Sequence, residues 1–217
     1  MKKAMNAFYA QSGGVTAVIN ATACGVIETS RKNKQVISNV YAGRNGIIGA
    51  LTEDMIDTNR ETKNTIHNLQ YMPGGVFGSA RYKLKGIKEN KAEYKRLIEV
   101  FKAHNIGYFF YNGGNDSADT AFKVSQISQK LGYPINCIAI PKTVDNDVIP
   151  VKQTLGAWTA AEQGALFFQN IVNENTTSRR QLIIHEVMGR HCGWLTAATA
   201  LKYRERLKKI QFIEELK

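Results

Sequence analysis

Short apolar runs along the chain alternate with longer stretches in which apolar positions return every three or four residues. NAFYA (6–10), VISNVYA (36–42), IGYFFYN (106–112), INCIAIP (135–141) and QLIIHEV (181–187) have the length and composition of buried strands. AVINATACGVIETSRK (17–32), YKRLIEVFKAHN (94–105), SADTAFKVSQISQKLG (117–132), residues 157–172 and a final stretch from Trp194 carry the helical period. Ser117 is expected to cap the third of these helices. Strands of this length alternating with longer helices predict βα units and a parallel sheet.

In such a sheet, ligands collect outside the carboxyl ends of the strands. The unusual polar residues of this chain sit there: QSGG, GRNG, GGNDS, PKTVDND and MGRHCGW each follow a predicted strand and carry glycine, charge or both. Packing alone does not ask for that distribution.

Composition narrows the class. The 217 residues are 43% hydrophobic with only 4 prolines, so the chain is globular, not disordered. It holds no 18-residue apolar run, and the opening MKKAMNAFYAQSGG reaches Gly13 and Gly14 before an h-region of the needed length, so no membrane and a cytoplasmic location are expected. Cys24, Cys137 and Cys192 are far apart in apolar or helical surroundings, which predicts buried reduced thiols. The net charge of +11 asks for an anionic partner. Much of it lies in 81–96 and 202–217, where Glu recurs at helical spacing. Both read as solvated helix faces, without the aromatic interleaving of a nucleic-acid module.

Several loops carry specific chemistry. QSGGVT (11–16) frees the backbone to approach a ligand and opens a helix whose first N–H groups favour an anion. GGNDS (113–117) repeats the design with oxygens added, and Asn115, Asp116 and Ser117 suit a hydrated magnesium ion. PKTVDND (141–147) sets Lys142 and Thr143 beside Asp145 and Asp147, a carboxylate for general-base work next to a cation that offsets charge on a reacting phosphate. Arg190 in MGRHCGW and Arg81 in GGVFGSARY are further cations on glycine-rich segments, while His191 reads as a turn residue.

The motifs QSGGVTAVIN, GGVFGSAR, GGNDSADT, PKTVDND and EVMGRHCGWLTAATAL, in this order and spacing, resemble those of the phosphofructokinases, and among them the bacterial pyrophosphate-dependent or mixed-substrate group. The resemblance implies an α/β fold, Rossmann-like and doubly wound, with a mainly parallel sheet whose strand-end loops form a phosphate site. It implies transfer of a phosphoryl group to the 1-hydroxyl of fructose 6-phosphate with Mg²⁺. By the same likeness Asp145 is the general base, with Lys142 the second catalytic residue. Thr143, Asp145, Asp147, Met188, Gly189 and Arg190 bind the sugar phosphate. Gly14, Arg81, Gly114, Asp116 and Ser117 bind the donor phosphates, and Asn115 stands at the position linked to magnesium. The implied partners are pyrophosphate and fructose 6-phosphate, with no nucleic acid and no membrane, in a homo-oligomer (dimer or tetramer) when full length.

Asp116 bears on the donor. In the ATP-dependent members the matching position is usually glycine, which leaves room for the nucleotide's α-phosphate. Two like charges about 4 Å apart at an effective dielectric near 20 repel by roughly 4 kcal/mol, or about three decades of affinity. Pyrophosphate escapes that cost, and Lys142 matches the PKT of pyrophosphate users. Asn115 departs from the Asp found in many members and is a weaker magnesium ligand. Family chains are longer, so residues 1–217 are expected to be an N-terminal region lacking the C-terminal lobe. An ATP-dependent 6-phosphofructokinase, or a truncated phosphate-binding module without catalysis, are the alternatives.

Overall fold

The computed structural model describes residues 3–86, 89–177, 179 and 181–211. The chain divides into two compact units, Met1–Lys142 and Thr143–Lys217. The first is built on β1 (Met5–Gln11), β2 (Ile37–Gly43), β3 (Met55–Asp57), β4 (Ile106–Gly113) and β5 (Asn136–Pro141). These pair in the order β3-β2-β1-β4-β5. All neighbours are parallel except β2 and β3. The helices between them are α1 (Ile19–Lys32), α2 (Ile47–Leu51), α3 (Lys63–Asn68), α4 (Lys91–Ala103) and α5 (Asn115–Lys130).

Side-chain parity on the strands explains the two helical layers. Phe8, Ala10, Phe109 and Tyr111 point to one face, where Leu97 and Phe101 of α4 and Ala121 and Val124 of α5 cover them. Ala7, Tyr9, Val40 and Ala42 point to the other, against Ala23 and Ile27 of α1 and Ile66 of α3. A strand buried on both faces reads as a continuous apolar run, which is why NAFYA and IGYFFYN stand out. The Phe8 ring lies 5.3 Å from that of Phe101 and 5.8 Å from that of Phe109, at the centre of the first layer.

The second unit contains α6 (Ala157–Asn175) and α7 (Trp194–Leu207). They meet through Ala161, Leu195 and Ala198, with the Trp158 and Trp194 rings 5.4 Å apart edge to face. Among the described residues, no helix is long and apolar enough to cross a membrane.

Four expectations need correction. QLIIHEV (181–187) is not a strand: Leu182 and Ile184 are 87% and 85% exposed, and no neighbouring strand pairs with the segment among the described residues. A short apolar run makes a strand only where a ladder partner takes up its hydrogen bonds. The basic stretch 81–96 is helical only from Lys91, and its described residues before that have no regular helix. Ser117 does not cap α5; Gly114 occupies the cap position and Ser117 is buried in the first turn. In 202–217 the helix stops at Leu207; its basic residues do not only face water, since Glu162 of α6 pairs with Lys202 at 3.0 Å and Arg206 at 3.4 Å. Residues 212–217 lie outside the described residues.

Phe8→Ala should lower the unfolding free energy of the first unit by about 3–5 kcal/mol, the usual cost of a cavity left by a buried ring. Urea unfolding followed by hydrogen exchange in β1 and β4 reads this directly, and a loss below 1 kcal/mol would contradict the packing.

Candidate phosphate-handling site

Three neighbouring strands stop level with one another. Gln11 of β1 is opposite Asn112 of β4, and Gly113 of β4 is opposite Pro141 of β5. The pairing continues one residue past the strands: Ser12 N donates to the Asn112 carbonyl at 2.9 Å, and Lys142 N donates to the Gly113 carbonyl at 2.9 Å. The turns QSGG and GGNDS and the strand end at Pro141 and Lys142 are therefore delivered side by side.

Below them lies a buried polar cluster. Asn112 Nδ2 donates to the Tyr9 hydroxyl at 3.0 Å and Gln11 Nε2 at 3.4 Å, with all three residues at 0% exposure. Burial pushes the Tyr9 phenol above its ordinary range despite these two bonds. Gln11 Oε1 and Asn112 Oδ1 are buried without a hydrogen-bond partner among the described residues.

The first turn is held from outside by residues 79–81. Gly13 N donates to the Ala80 carbonyl at 3.1 Å, and Ser79 Oγ donates to the Gly13 carbonyl at 2.7 Å. Gly13 takes φ 77°, a conformation suited to glycine. Two cations converge here. The Lys142 ammonium donates to the Gly14 carbonyl at 2.5 Å, and a Cβ on Gly14 would lie 2.9 Å from Arg81 Nη2. Lys142 is buried, at 7% exposure. Burial, and then the nearby Arg81 charge, hold its pKa below the ordinary lysine range.

The second turn leads into α5. A Cβ on Gly113 would sit 2.1 Å from Ser117 Oγ and 2.9 Å from Ser12 Cβ, so the turn closes only with glycine. Gly114 caps α5 without a side-chain hydrogen bond, which leaves first-turn N–H groups for an anion or solvent. Asn115 and Asp116 are exposed on that turn. Lys83 Nζ contacts Asp116 Oδ1 at 2.7 Å.

Gly14, Arg81, Gly114, Asn115, Asp116, Ser117 and Lys142 thus all belong to the loops at the sheet's carboxyl edge or to the segment laid along them. In the second unit, Thr143, Asp145 and Asp147 share one braced loop. Asp145 N donates to Thr143 Oγ1 at 3.1 Å, and Thr154 Oγ1 donates to the Thr143 carbonyl at 2.5 Å. Asn146, at φ 55°, accepts from Thr154 N at 2.8 Å. Asp145 is half-buried and Asp147 exposed. Asn146 is therefore a brace, not one of the reactive groups. Met188, Gly189 and Arg190 are exposed on a segment without regular structure. Gly189 has φ 146°, and a Cβ there would meet the Cys192 carbonyl at 2.5 Å. Sequence reasoning missed Lys83 and Thr154. Thr154 carries no motif signal, whereas Lys83 alternates with apolar Tyr82 and Leu84.

No three His, Cys, Asp or Glu side chains gather into a metal-holding group among the described residues. Asn115 and Asp116, exposed at the start of α5, are the oxygen-bearing side chains there that could hold a hydrated magnesium ion.

The family profile described as Phosphofructokinase matches residues 6–215. The pyrophosphate–fructose 6-phosphate 1-phosphotransferase of Methylococcus capsulatus is 57% identical over 206 residues, covering 94% of this chain and 49% of that protein. That of Halomonas elongata is 56% identical over 200 residues, covering 90% and 48%. The solved pyrophosphate-dependent phosphofructokinase from Marinobacter aquaeolei has a TM-score of 0.84 at 54% identity, over 91% of this chain and 49% of that one. The phosphofructokinase of Saccharomyces cerevisiae, at 19% identity and a TM-score of 0.77, shares the fold. The chain spans about half the length of the curated relatives it matches.

The depressed pKa of Lys142 has a signed consequence. Between its folded and unfolded values the unfolded chain binds more protons, so this group adds stability as pH rises through that window. Binding an anion needs the charged form. Calorimetric affinity for inorganic diphosphate should therefore weaken on the alkaline side, from a pH below the ordinary lysine range. Lys142→Met should lower the affinity and abolish that limb; an unchanged limb would exclude Lys142 as its source.

Proposed function

The chain belongs to the phosphofructokinase family, and from that membership we propose that it transfers a phosphoryl group from pyrophosphate to the 1-hydroxyl of fructose 6-phosphate. Lys142 carries the reading: a buried ammonium on the Gly14 carbonyl, beside Arg81, at the mouth of a glycine turn. Such paired cations suit the compact, highly charged donor. The α5 N-terminus adds backbone N–H groups to the same edge. Asp116 on its first turn disfavours an additional phosphate of a nucleotide. The repulsion is smaller than for a bare carboxylate, because Lys83 pairs with it.

In the second unit, Asp145 is proposed to take the proton of the sugar 1-hydroxyl as its oxygen bonds the transferred phosphorus. The bridging P–O bond breaks and orthophosphate leaves. The loop brace through Thr154 and Asn146 holds Asp145 without using its carboxylate, which stays available as a base. Thr143 and Asp147 flank it, and Met188, Gly189 and Arg190 are proposed to bind the sugar phosphate. Magnesium would neutralise charge on the diphosphate when bound, and Asn115 would hold it or its waters.

Formation of fructose 1,6-bisphosphate by the polypeptide as its gene encodes it, with each donor in turn, tests the donor assignment. Turnover with pyrophosphate is expected, and preference for ATP would overturn the assignment. Asp145→Asn should lower kcat by roughly 10²–10⁴ with little change in substrate binding; near-normal turnover would remove Asp145 from its role.

A further inference from the structure

Lys83 lies outside every motif described above, yet its position is built. Residues 80–85 form an extended strap fixed at alternate points. Ala80 bridges Ser12, the Tyr82 hydroxyl donates to Glu93 Oε1 at 2.6 Å, and Leu84 is 1% exposed in the core. The Tyr94 hydroxyl donates to the Lys85 carbonyl at 3.0 Å. With 82 and 84 turned inward, Arg81 and Lys83 turn outward. Arg81 reaches Gly14; Lys83 reaches Asp116 at 2.7 Å.

We propose that Lys83 is a donor-selecting residue: it cancels the charge of Asp116 toward the incoming diphosphate while the ion pair occupies the space beside the first turn of α5. This rests on the diphosphate reading above. The carboxylate excludes a larger donor, but alone it would also repel a polyanion bound at the same helix start. A cation on the strap offsets that repulsion, and the bulk of the ion pair is then what stands against a larger donor. Asp116 without Lys83 is then a liability to the enzyme's own donor.

The test uses the polypeptide as its gene encodes it, with Lys83→Met, Asp116→Asn, the double variant and Lys83→Arg. Lys83→Met should raise KM for pyrophosphate about tenfold, equivalent to about 1.4 kcal/mol. It should leave kcat and KM for fructose 6-phosphate within about threefold, and the effect should shrink at high salt because exposed charges are screened. Adding Asp116→Asn should restore KM to within about twofold of Asp116→Asn alone, and Lys83→Arg should resemble the parent. A merely structural strap would not be relieved by Asp116→Asn. An unchanged KM in Lys83→Met, or no relief in the double variant, overturns the proposal. Donor preference of the parent is measured first and judges the diphosphate reading separately. If ATP proves the donor, Asp116 excludes no larger donor and the donor-selecting role of Lys83 falls with the diphosphate reading.

Discussion

The level ending of β1, β4 and β5 is the constraint on which the site depends. Parallel strands in register can bring neighbouring strand ends to one edge only if their last residues stop together, and here hydrogen bonding to β4 runs one residue beyond β1 and beyond β5 to enforce it. The aromatic layer around Phe8, Phe101 and Phe109 holds that register from one side and α1 from the other. Because side-chain parity has a period of two, a slip by one residue would carry Phe8 and Tyr9 to each other's face. Precision at the loops is thus inherited from the core.

Directly under the loops the core turns polar, and this costs stability. Two buried side-chain carbonyl oxygens, on Gln11 and Asn112, lack partners among the described residues; a buried group left unpaired costs about 1–3 kcal/mol. Placed at the strand ends, they couple the first and second glycine turns through Tyr9. Above them burial, and then the Arg81 charge, disfavour the ammonium of Lys142. A site that collects polyanions benefits from cations whose desolvation is already complete when the ligand arrives.

Legibility in the sequence followed burial. The strands buried on both faces, β1 and β4, announce themselves as apolar runs, and the helices that cover them show their period. The short antiparallel β3 and the small helices α2 and α3 lack enough residues to establish one. QLIIHEV misleads because a short apolar run has the composition of a strand, whereas a strand also requires a neighbour. The placement of Lys142 and Asp116 at the sheet's carboxyl edge was readable, because glycine and charge follow a strand there. The site was unreadable where a residue acts through geometry. Asn146 and Thr154 brace the loop through each other, and Thr154 belongs to no motif.

The strap at residues 80–85 is a surface connection by its hydrogen bonding and a strand by its parity. Ordinary surface connections tolerate changes of length. This one does not have that freedom: dropping a single residue would turn two cations toward the hydrocarbon interior and an aromatic ring toward water. Evolution can exchange the side chains along it, but the count of residues is frozen.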